Sequence, residues 1–563
     1  VVALVDELVE AAGAGAFGEA SLPQTLHALA LARLDRLGDH EQTTLKVASV
    51  IGREFEVAWL EACRTGRPGP AVRADLLAAA RSGVAVPSRA EPPAYRFDHA
   101  ITHEAAYESL PHSLKLELHG RVARYVEATL ASEADPHLDE LAFHYDRSDD
   151  TDKRRLYLWR AGMAAKANYA NEAAAGYLRR LLDVVAEEQA VPVLLALGDV
   201  EAFAGDHESA DRRFRRALEL ATAARDGLSE AMARRQLGEL YERQGDHEGA
   251  RVWLEDAVRA GRALGAREEL VQALLALGGN VLWHLGAYPE ATAMLREALE
   301  VAADLGDDRA RARALHGLAN VALYRGQTAE AERLFQSSLE VRRTVHDELG
   351  VANALNNLAI IAANSGRNAE AEDLLRDSLA IMRRLGDVAG TAVTLNNLGY
   401  MAAERGDLAE AERLYEQSLA SRTSLGDRLG MAVSLNNLGD LARRRSDPDA
   451  ARELYLRSLD HAHAIGNRRE AATALVGLAA VATDPGRALT LCACAEALLE
   501  SIGAAPDHDV KRTLDEVKAA AAARLGPDAE AAATATAQGL AFGGMVELAL
   551  GRPPLHDAHA PPL

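Results

Sequence analysis

The sequence predicts an all-α fold for most of its length, in which a long helical solenoid follows a small domain of helices with a short β wing. Ala, Leu, Arg and Glu dominate a chain that is 48% hydrophobic but only 4% aromatic. These residues favour helices because their side chains lose little rotamer freedom there. Turn signals also recur at a fixed interval, as they do in repeat proteins. At 563 residues, the chain is expected to divide into several units or a repeat array.

The charge and the cysteine content exclude some classes of protein. The formal net charge is −22, whereas a nucleic-acid binder presents a basic face, so no direct nucleic-acid binding is expected. Cys63, Cys492 and Cys494 are too few for a disulfide framework and favour a cytoplasmic location. No apolar run reaches the roughly 18 residues that span a bilayer. A membrane partner is therefore not expected.

The turn signals define a repeat of 40 residues with two helices. Gly-Asp pairs at 306–307, 386–387 and 426–427 belong to one series, and a second series runs half a period later. Glycine suits the left-handed position that ends a helix, and Asp caps the start of the next. Asp407 and Glu410 are expected to form a capping box. A solitary helix pair could not bury both apolar faces, so the pairs must stack.

The side chains within each period resemble tetratricopeptide repeats. Leu398-Gly399 in the first helix, then Ala411 and Tyr415 in the second, follow the pattern of that family. The same pattern recurs at Leu237-Gly238, Ala250 and Trp253, at Leu318-Ala319, Ala331 and Phe335, and at Leu438-Gly439, Ala451 and Tyr455. The resemblance implies a right-handed superhelical solenoid of about nine repeats, with lengthened helices as in kinesin light chains.

The region before the repeats lacks this period. Helices are predicted at 25–37, 40–51, 71–81, 99–110 and 113–130, and strand-like runs at 84–87 and 95–97 form a two-stranded wing. Helices followed by such a wing predict a winged-helix module. After the repeats, two helices at 509–525 and 529–550 are expected to cap the solenoid. The proline-rich tail at 552–563 is predicted to be disordered.

The N-terminal region resembles the segment that follows the ATPase domain in signal-transducing STAND-type bacterial regulators. The resemblance is carried by LPQTLHALALARLDRL from residue 22, VASVIGREF from residue 47 and YRFDHAITHEAAYESL from residue 95. Such proteins place an ATPase, a winged helix and a tetratricopeptide array in that order, often with cyclase or DNA-binding domains that regulate transcription. The resemblance implies that residues 1–10 end an ATPase domain, so ATP or ADP would belong to a longer parent protein.

This organisation sets the expected domains and function. The domains are 1–22 (ATPase tail and linker), 23–150 (winged helix and connector), 151–505 (repeats), 506–551 (capping helices) and 552–563 (tail). The chain contains no Gly-Lys dipeptide, hence no Walker A loop, and no catalytic constellation. We expect a non-enzymatic scaffold without a cofactor, which senses a protein, a peptide or a small effector for the ATPase and has self-association as a further option. A stand-alone adaptor is the alternative.

His99 is the candidate nucleotide-sensing residue. It opens a helix after the wing, and the STAND resemblance implies contact with an ADP phosphate, for which an imidazole at a helix N-terminus is suited. The alternative is that His99 caps or packs against its own helix. His103 lies four residues on, at metal-ligand spacing, but a structural role is expected. Cys492 and Cys494 are two apart on a helix and face different directions, so no metal site is predicted.

Asparagine pairs mark the candidate groove for a partner. They recur at the repeat period inside first helices, where Asn has no helix-forming advantage. In superhelical tetratricopeptide proteins the first helices line the concave groove, and Asn just before the Leu-Gly pair can hydrogen-bond an extended peptide, since an amide is both donor and acceptor. Asn357, Asn397 and Asn437 match that position. The alternative is that these amides only tie adjacent helices together.

The groove is expected to include other polar and aromatic side chains of the first helices. Arg443, Arg444 and Arg445 could clamp a carboxylate, although an arginine run is more often a solvated face. The full set of predicted groove residues is Asn356, Asn357, Asn396, Asn397, Tyr400, Asn436, Asn437, Asp440, Arg443, Arg444, His316, Asn320 and Tyr324.

Overall fold

The computed structural model describes residues 22–552 apart from 89–92, 131–136, 169, 286, 503, 505, 507 and 527. The predicted ATPase-derived helix at 1–10 and the predicted tail beyond residue 552 lie outside the described residues. Backbone contacts divide the chain into two compact units, residues 1–240 and 241–563. Helices make up most of both units, which confirms the predicted fold class.

The first unit begins with helices around a small antiparallel sheet. Its elements are α1 (Leu22–Asp35), α2 (Asp39–Ile51), β1 (Glu54–Glu56), α3 (Val57–Cys63), α4 (Gly69–Arg81), β2 (Ala85–Pro87) and β3 (Ala94–Phe97). Strand β3 lies between β1 and β2, with Glu54 opposite Arg96 and Ala85 opposite Phe97. The two predicted strand runs pair with each other as β2 and β3, whereas the third strand, β1, and helix α3 after it were not predicted.

Apolar side chains from the strands and helices share one core. The rings of Phe55 in β1 and Phe97 in β3 lie 5.7 Å apart. Leu45, Leu60 and Leu76 come from α2, α3 and α4 and are fully buried against them. Burying a side chain of this size stabilises the fold by about 1.5–3 kcal/mol. Short strands without a clear alternation are thus held in place by what packs on them.

A buried carboxylate joins three of these segments. Asp75 in α4 accepts a hydrogen bond from the Thr44 hydroxyl at 2.7 Å and two from the Arg67 guanidinium at 2.6 and 2.5 Å. Burial raises the pKa of Asp75, but the bonds to Arg67 and Thr44 outweigh it and hold the pKa below its usual value. The carboxylate therefore stays charged and fully bonded inside the core.

Helices fill the rest of the first unit. They are α5 (Ala100–Glu108), α6 (His112–Leu130), α7 (Leu138–Asp146), α8 (Thr151–Ala167), α9 (Asn171–Leu182), α10 (Ala190–Phe203), α11 (His207–Ala224) and α12 (Gly227–Arg243), with a 3₁₀ turn at Glu187–Gln189. Glu127 in α6 accepts hydrogen bonds from the hydroxyls of Tyr145 and Tyr157 and pairs with Lys153. This carboxylate ties α6 to α7 and α8.

The second unit is a helical solenoid of two-helix repeats. Its helices are α13 (His247–Leu264), α14 (Arg267–Ala276), a π-helical segment (Leu277–Val281), α15 (Leu282–His284), α16 (Tyr288–Leu305), α17 (Asp308–Tyr324), α18 (Thr328–Thr344), α19 (Glu348–Asn364), α20 (Asn368–Leu385), α21 (Val388–Glu404), α22 (Leu408–Leu425), α23 (Arg428–Arg444), α24 (Pro448–Ala464), α25 (Arg468–Ala480) and α26 (Pro485–Ser501). Each predicted turn falls between two of these helices.

The turns are built as the sequence predicts, with one exception. Gly386 ends α20 in the left-handed region at φ 71°, and the Asp387 carboxylate accepts from the Gly390 backbone N–H at 2.9 Å. Asp407 likewise accepts from the Glu410 N–H at 3.2 Å. The predicted capping box is only half formed, because the Glu410 carboxylate binds the Arg413 guanidinium instead.

Small residues let the paired helices approach closely. A Cβ atom built on Gly399 would lie 2.7 Å from the Tyr415 ring, and one on Gly439 or Gly477 would lie 2.6 or 2.4 Å from the Tyr455 ring. Contacts this short cannot be relieved without moving an aromatic ring that is itself buried. The Leu-Gly and aromatic positions of the repeat pattern are therefore one packing unit.

Three helices follow the repeats: α27 (His508–Leu525), α28 (Asp528–Gln538) and α29 (Phe542–Ala549). The single helix predicted at 529–550 is wrong, because the chain turns at Gly539 and two helices form. Leu514 of α27 and Met545 and Val546 of α29 are buried in one core with α25 and α26. These helices cover the end of the repeat stack.

Candidate functional site

The first asparagine of each pair is buried between neighbouring first helices. Asn356, Asn396 and Asn436 are only 9%, 6% and 2% exposed. The Asn436 amide donates to the Glu470 carboxylate of the next first helix, α25, at 3.1 Å. These three side chains therefore lie at the repeat interfaces rather than on an accessible face.

The second asparagine of each pair reaches back to the preceding repeat. The Asn397 amide donates to Asn356 Oδ1 and the Asn437 amide to Asn396 Oδ1, both at 3.1 Å. The Asn357 amide lies 3.3 Å from His316 Nε2. The bonds that tie adjacent helices are thus formed at all three positions.

Those bonds use only part of each amide. Asn357, Asn397 and Asn437 are half-buried, and one Nδ2 hydrogen of each is directed at the neighbouring repeat. An amide has two donor hydrogens and an acceptor oxygen, and within the described part of the chain the three Oδ1 atoms accept no hydrogen bond. Each side chain keeps a donor and an acceptor in an orientation fixed by its neighbour.

The predicted groove residues of α17 lie in different surroundings. Contact with Phe335 at 5.1 Å between ring centres helps to enclose His316, and burial lowers the pKa of His316 to about 4. Asn320 is half-buried, and Tyr324 at the end of the helix is 51% exposed. His316 is therefore a neutral hydrogen-bonding partner for Asn357, whereas half of the Tyr324 side chain is exposed.

Tyr324 lies in an aromatic cluster whose other members were not among the predicted groove residues. The Tyr324 ring lies 4.9 Å from that of Trp283 and 6.5 Å from that of Tyr288. Trp283 also contacts His284, whose ring stacks on that of His247 at 4.6 Å. In a chain with 4% aromatic residues, this concentration of rings on three successive repeats is a distinct local surface.

A π-helical segment at Leu277–Val281 precedes that cluster. A π bulge accommodates one extra residue in a helix and is frequent at functional sites. The sequence carries the signal, because Gly265 and Gly286 are 21 residues apart whereas Gly306 and Gly326 are 20 apart. Sequence reasoning that counted only the 40-residue period missed it.

The arginine run is bonded within the chain. Arg443 pairs with Asp440 at 3.3 Å, and the same carboxylate accepts from the Tyr455 hydroxyl at 2.7 Å. Arg444 pairs with Glu404 at 2.6 Å and Arg445 with Glu412 at 2.8 Å. Arg444 and Arg445 are held against the preceding repeat and Arg443 within its own, so the run is neither a free clamp nor a fully solvated face.

Tyr400 is held by a distant part of the chain. Its hydroxyl donates to Asp509 Oδ2 of α27 at 3.1 Å, and Tyr400 is 37% exposed. Burial and the charges of Asp509 and Glu404 raise the pKa of Tyr400 to about 12. Sequence reasoning placed Tyr400 in the groove but did not foresee Asp509.

His99 lies where the sequence places it, at the N-terminus of α5. Its side chain makes no capping bond, and its Nε2 lies 3.3 Å from the Asp98 carboxylate. His103 is directed elsewhere, since its Nε2 lies 2.9 Å from the Ser49 carbonyl and its ring packs on Phe97. The two histidines therefore do not converge on one ligand.

The cysteines are core residues. Cys492 and Cys494 are fully buried in α26, and burial raises the pKa of Cys492 to about 12 and of Cys494 to about 11. Within the described ranges, no group of three or more His, Cys, Asp or Glu side chains could hold a metal ion. Among all the described residues, no helix is both long and apolar enough to cross a membrane.

Comparison with protein families identifies the repeats. A tetratricopeptide-repeat model matches residues 190–263, 271–344 and 350–424, and a second tetratricopeptide-repeat model matches residues 431–460. These segments are tetratricopeptide repeats, in agreement with the pattern of Leu-Gly, Ala and aromatic residues. No curated protein matches the chain.

Solved structures with similar helical arrays are related only distantly. BtubC (BKLC) from P. vanneervenii is 24% identical over 38% of this chain and 88% of its own, with a TM-score of 0.33. A STAND protein with a tetratricopeptide repeat sensor from Pyrococcus horikoshii is 12% identical over 80% of this chain and 67% of its own, with a TM-score of 0.49. Aspartyl phosphate phosphatase F from Bacillus subtilis is 12% identical over 63% of this chain and 92% of its own, with a TM-score of 0.44. The fold assignment rests on the repeat models and the helices of this chain.

Proposed function

We propose that this chain is the partner-binding and effector-sensing scaffold of a signal-transducing ATPase regulator, and that a peptide segment of the partner lies along its first helices. Tetratricopeptide repeats, which the chain carries, stack into extended surfaces of the kind that repeat proteins use for binding. The chain acts by binding rather than by catalysis. A protein or peptide partner fits an extended row of amides better than a small, closed site does.

The half-used amides of Asn357, Asn397 and Asn437 carry this proposal. They stand 40 residues apart, once per repeat, and the bond to the preceding repeat fixes their orientation. The backbone of an extended peptide offers N–H and C=O groups that match one free donor and one free acceptor per amide. Preorganised side chains lose little entropy on binding. The bonds between repeats therefore orient the amides for a peptide and do not prevent its binding.

The regulatory context is supported by the N-terminal module. The order helix, strand, helix, helix, strand, strand from α2 to β3 agrees with a winged helix, the module that follows the ATPase in STAND-type regulators. His99 would be the residue of this chain that faces a bound ADP. Its pairing with Asp98 means that a phosphate would compete with a carboxylate for the imidazole. A stand-alone adaptor would need no such residue.

A random dodecapeptide phage library, selected on the full chain, tests the binding proposal. Peptides that emerge are titrated by calorimetry against the wild type and against Asn357→Ala, Asn397→Ala and Asn437→Ala combined. We expect a loss of affinity of at least tenfold, since each lost hydrogen bond contributes about 0.5–1.5 kcal/mol. Circular dichroism checks that the repeats remain folded.

The matched control changes three exposed polar side chains of the second helices at the same 40-residue interval: Ser337→Ala, Asp377→Ala and Gln417→Ala. This variant should bind the selected peptides within about twofold of the wild type. Equal binding by the asparagine variant would disprove the groove. Separate titration of ADP into a chain extended upstream through the ATPase, with and without His99→Ala, distinguishes the regulator from the adaptor.

A further inference from the structure

The first turn of α27 lies against the face that carries the asparagines. Tyr400 follows Asn397 by three residues in α21, so the two share one helical face. Asp509, 109 residues further along the chain, accepts the Tyr400 hydroxyl at 3.1 Å. Helix α27 packs on α25 and α26, and its first turn extends past them to α21. The chain's own C-terminal helix therefore contacts the face proposed to bind a peptide.

Arg444 belongs to the same place. It lies seven residues after Asn437 in α23, and its guanidinium is oriented by Glu404 at 2.6 Å and by the Ala403 carbonyl at 3.1 Å. Burial lowers the pKa of Arg444, but its bond to Glu404 and the charges of Glu404, Asp440 and Asp509 together raise it. The Tyr400 hydroxyl thus binds the Asp509 carboxylate directly, whereas Arg444 acts on that carboxylate through its charge. Asp509 also pairs with Arg512 of its own helix at 2.8 Å.

We propose that Tyr400 and Arg444 form a carboxylate-binding position of the groove, that Asp509 fills it in the free protein, and that the Asp or Glu of a partner peptide displaces the first turn of α27. This inference rests on the proposed peptide groove and specifies the partner. It also assigns α27 a role as a built-in competitor, in addition to covering the apolar end of the repeats.

The chemistry favours a carboxylate over a neutral group. Hydrogen bonds to a charged acceptor are roughly twice as strong as neutral ones, and the position already holds such an acceptor. The net charge of −22 repels an acidic peptide at a distance, but at physiological salt that repulsion decays over about 8 Å. Arg444 and the Tyr400 hydroxyl act within that range. A partner with an acidic residue in an otherwise neutral or basic segment fits best.

Displacement has a measurable consequence. A competitor on the same chain has an effective concentration that can reach the millimolar range, so it lowers the apparent affinity of any peptide that needs its position. Removing the Asp509 charge should therefore tighten the binding of an acidic peptide. The expected gain is about tenfold, the effect of losing one hydrogen bond to a charged group.

The test uses the full chain and the random dodecapeptide phage library, selected on the wild type and on Asp509→Asn in parallel. Peptides that contain Asp or Glu are titrated against both proteins, and each is compared with a twin carrying Asn or Gln. Asp509→Asn should tighten the acidic peptides about tenfold, should not tighten their twins, and should lose the gain when Tyr400→Phe is added. Asp515→Asn, an exposed carboxylate of the same helix, is the control and should change nothing.

Hydrogen exchange gives a second readout that needs no peptide. In Asp509→Asn the backbone amides of residues 512–514, the first in α27 with an acceptor inside the helix, should exchange faster, while those of α28 and α29 keep their wild-type rates. Unchanged exchange in that turn, or equal tightening of acidic peptides and twins, would overturn the carboxylate position. Peptides that depend on the asparagines but not on Asp509 would leave the groove proposal standing and refute this one. Selection of no peptide by either protein would refute both.

Discussion

The aperiodic region at 22–147 and the regular repeats at 308–466 use polar contacts in opposite ways. In the repeats one contact is copied: Ser338, Ser378, Ser418 and Ser458 are fully buried, and each hydroxyl donates to the carbonyl of an Ala 26 residues earlier, at 2.8 to 2.9 Å. In the aperiodic region each buried polar contact occurs once. Asp75 has a single set of partners, and so has Glu127.

The difference concerns how damage spreads. A repeat contacts mainly its neighbours, so its stability is a sum of local terms and one lost contact leaves the others in place. A single core shared by several elements has no copies, so one uncompensated charge affects all of them. The aperiodic region should therefore be the more sensitive of the two to single substitutions and to acid.

The largest effect is expected at Asp75. Asp75→Ala leaves the Arg67 guanidinium and the Thr44 hydroxyl without their buried partner, and breaking a buried pair in this way costs about 3–5 kcal/mol. Urea titration followed by hydrogen exchange of residues 44–60 measures the loss locally. Unfolding in that segment should move to much lower urea, with the repeats at 308–466 unchanged.

Glu61→Ala is the matched control in the same region. Glu61 pairs with Arg73 at 2.6 Å, but Arg73 is 67% exposed, and exposed pairs contribute about 0–1 kcal/mol. A comparable loss of stability in both variants would show that this region does not depend on its buried charge. Loss of protection that spreads into the repeats would instead break the contrast between the two regions.

An intermediate effect is expected from acid. His119 and His144 are fully buried, and their Nδ1 atoms lie 2.9 Å apart. Burial, together with the nearby charge of Arg147, holds the pKa of both histidines well below the usual value. The unfolded histidines titrate near pH 6.5. Below that pH the unfolded state binds more protons, so stability is full above pH 6.5 and falls as the pH drops.

The slope distinguishes this pair from general acid effects. Each buried neutral histidine contributes up to about 1.4 kcal/mol per pH unit, so the region at 22–147 should lose roughly 2 kcal/mol or more between pH 6.5 and 5. His144→Gln removes one of the two titrating groups and should reduce the slope by about half, which urea titrations at four pH values would measure. An unchanged slope would place the acid sensitivity elsewhere.

The contrast also explains what the sequence reveals. The helix pairs of the repeats were predictable because turn glycines and capping Asp residues such as Asp387 recur at one interval. Strand β1 was not, since three residues carry no periodicity and their partner in β3 is 40 positions away. Asn397 and Asn437 were visible as a recurring pair, but Asp509 was not, because nothing local links it to Tyr400. Periodic features can be predicted from the sequence, whereas single long-range contacts are seen only in the folded chain.

The smallest effect isolates the backbone at one turn of the repeat. Gly386 and Gly426, in the turns between repeats, adopt φ of 71° and 68°. Ser446, in a turn within a repeat, adopts 61° where Gly366 and Gly406 adopt 75° and 85°. A side chain in this region costs about 1 kcal/mol relative to glycine, and a Cβ on Gly386 would meet no atom within 4 Å. Gly386→Ala should therefore destabilise the repeats by about 1 kcal/mol through backbone strain alone.

Ser446→Gly should stabilise the repeats by several tenths of a kcal/mol, because part of the gain is lost to the greater freedom of glycine in the unfolded chain. Opposite signs in urea titrations would establish strain at Ser446. The same sign would mean that the serine hydroxyl or the preceding arginine run compensates for the strain, so Ser446 would not be equivalent to Gly366 and Gly406.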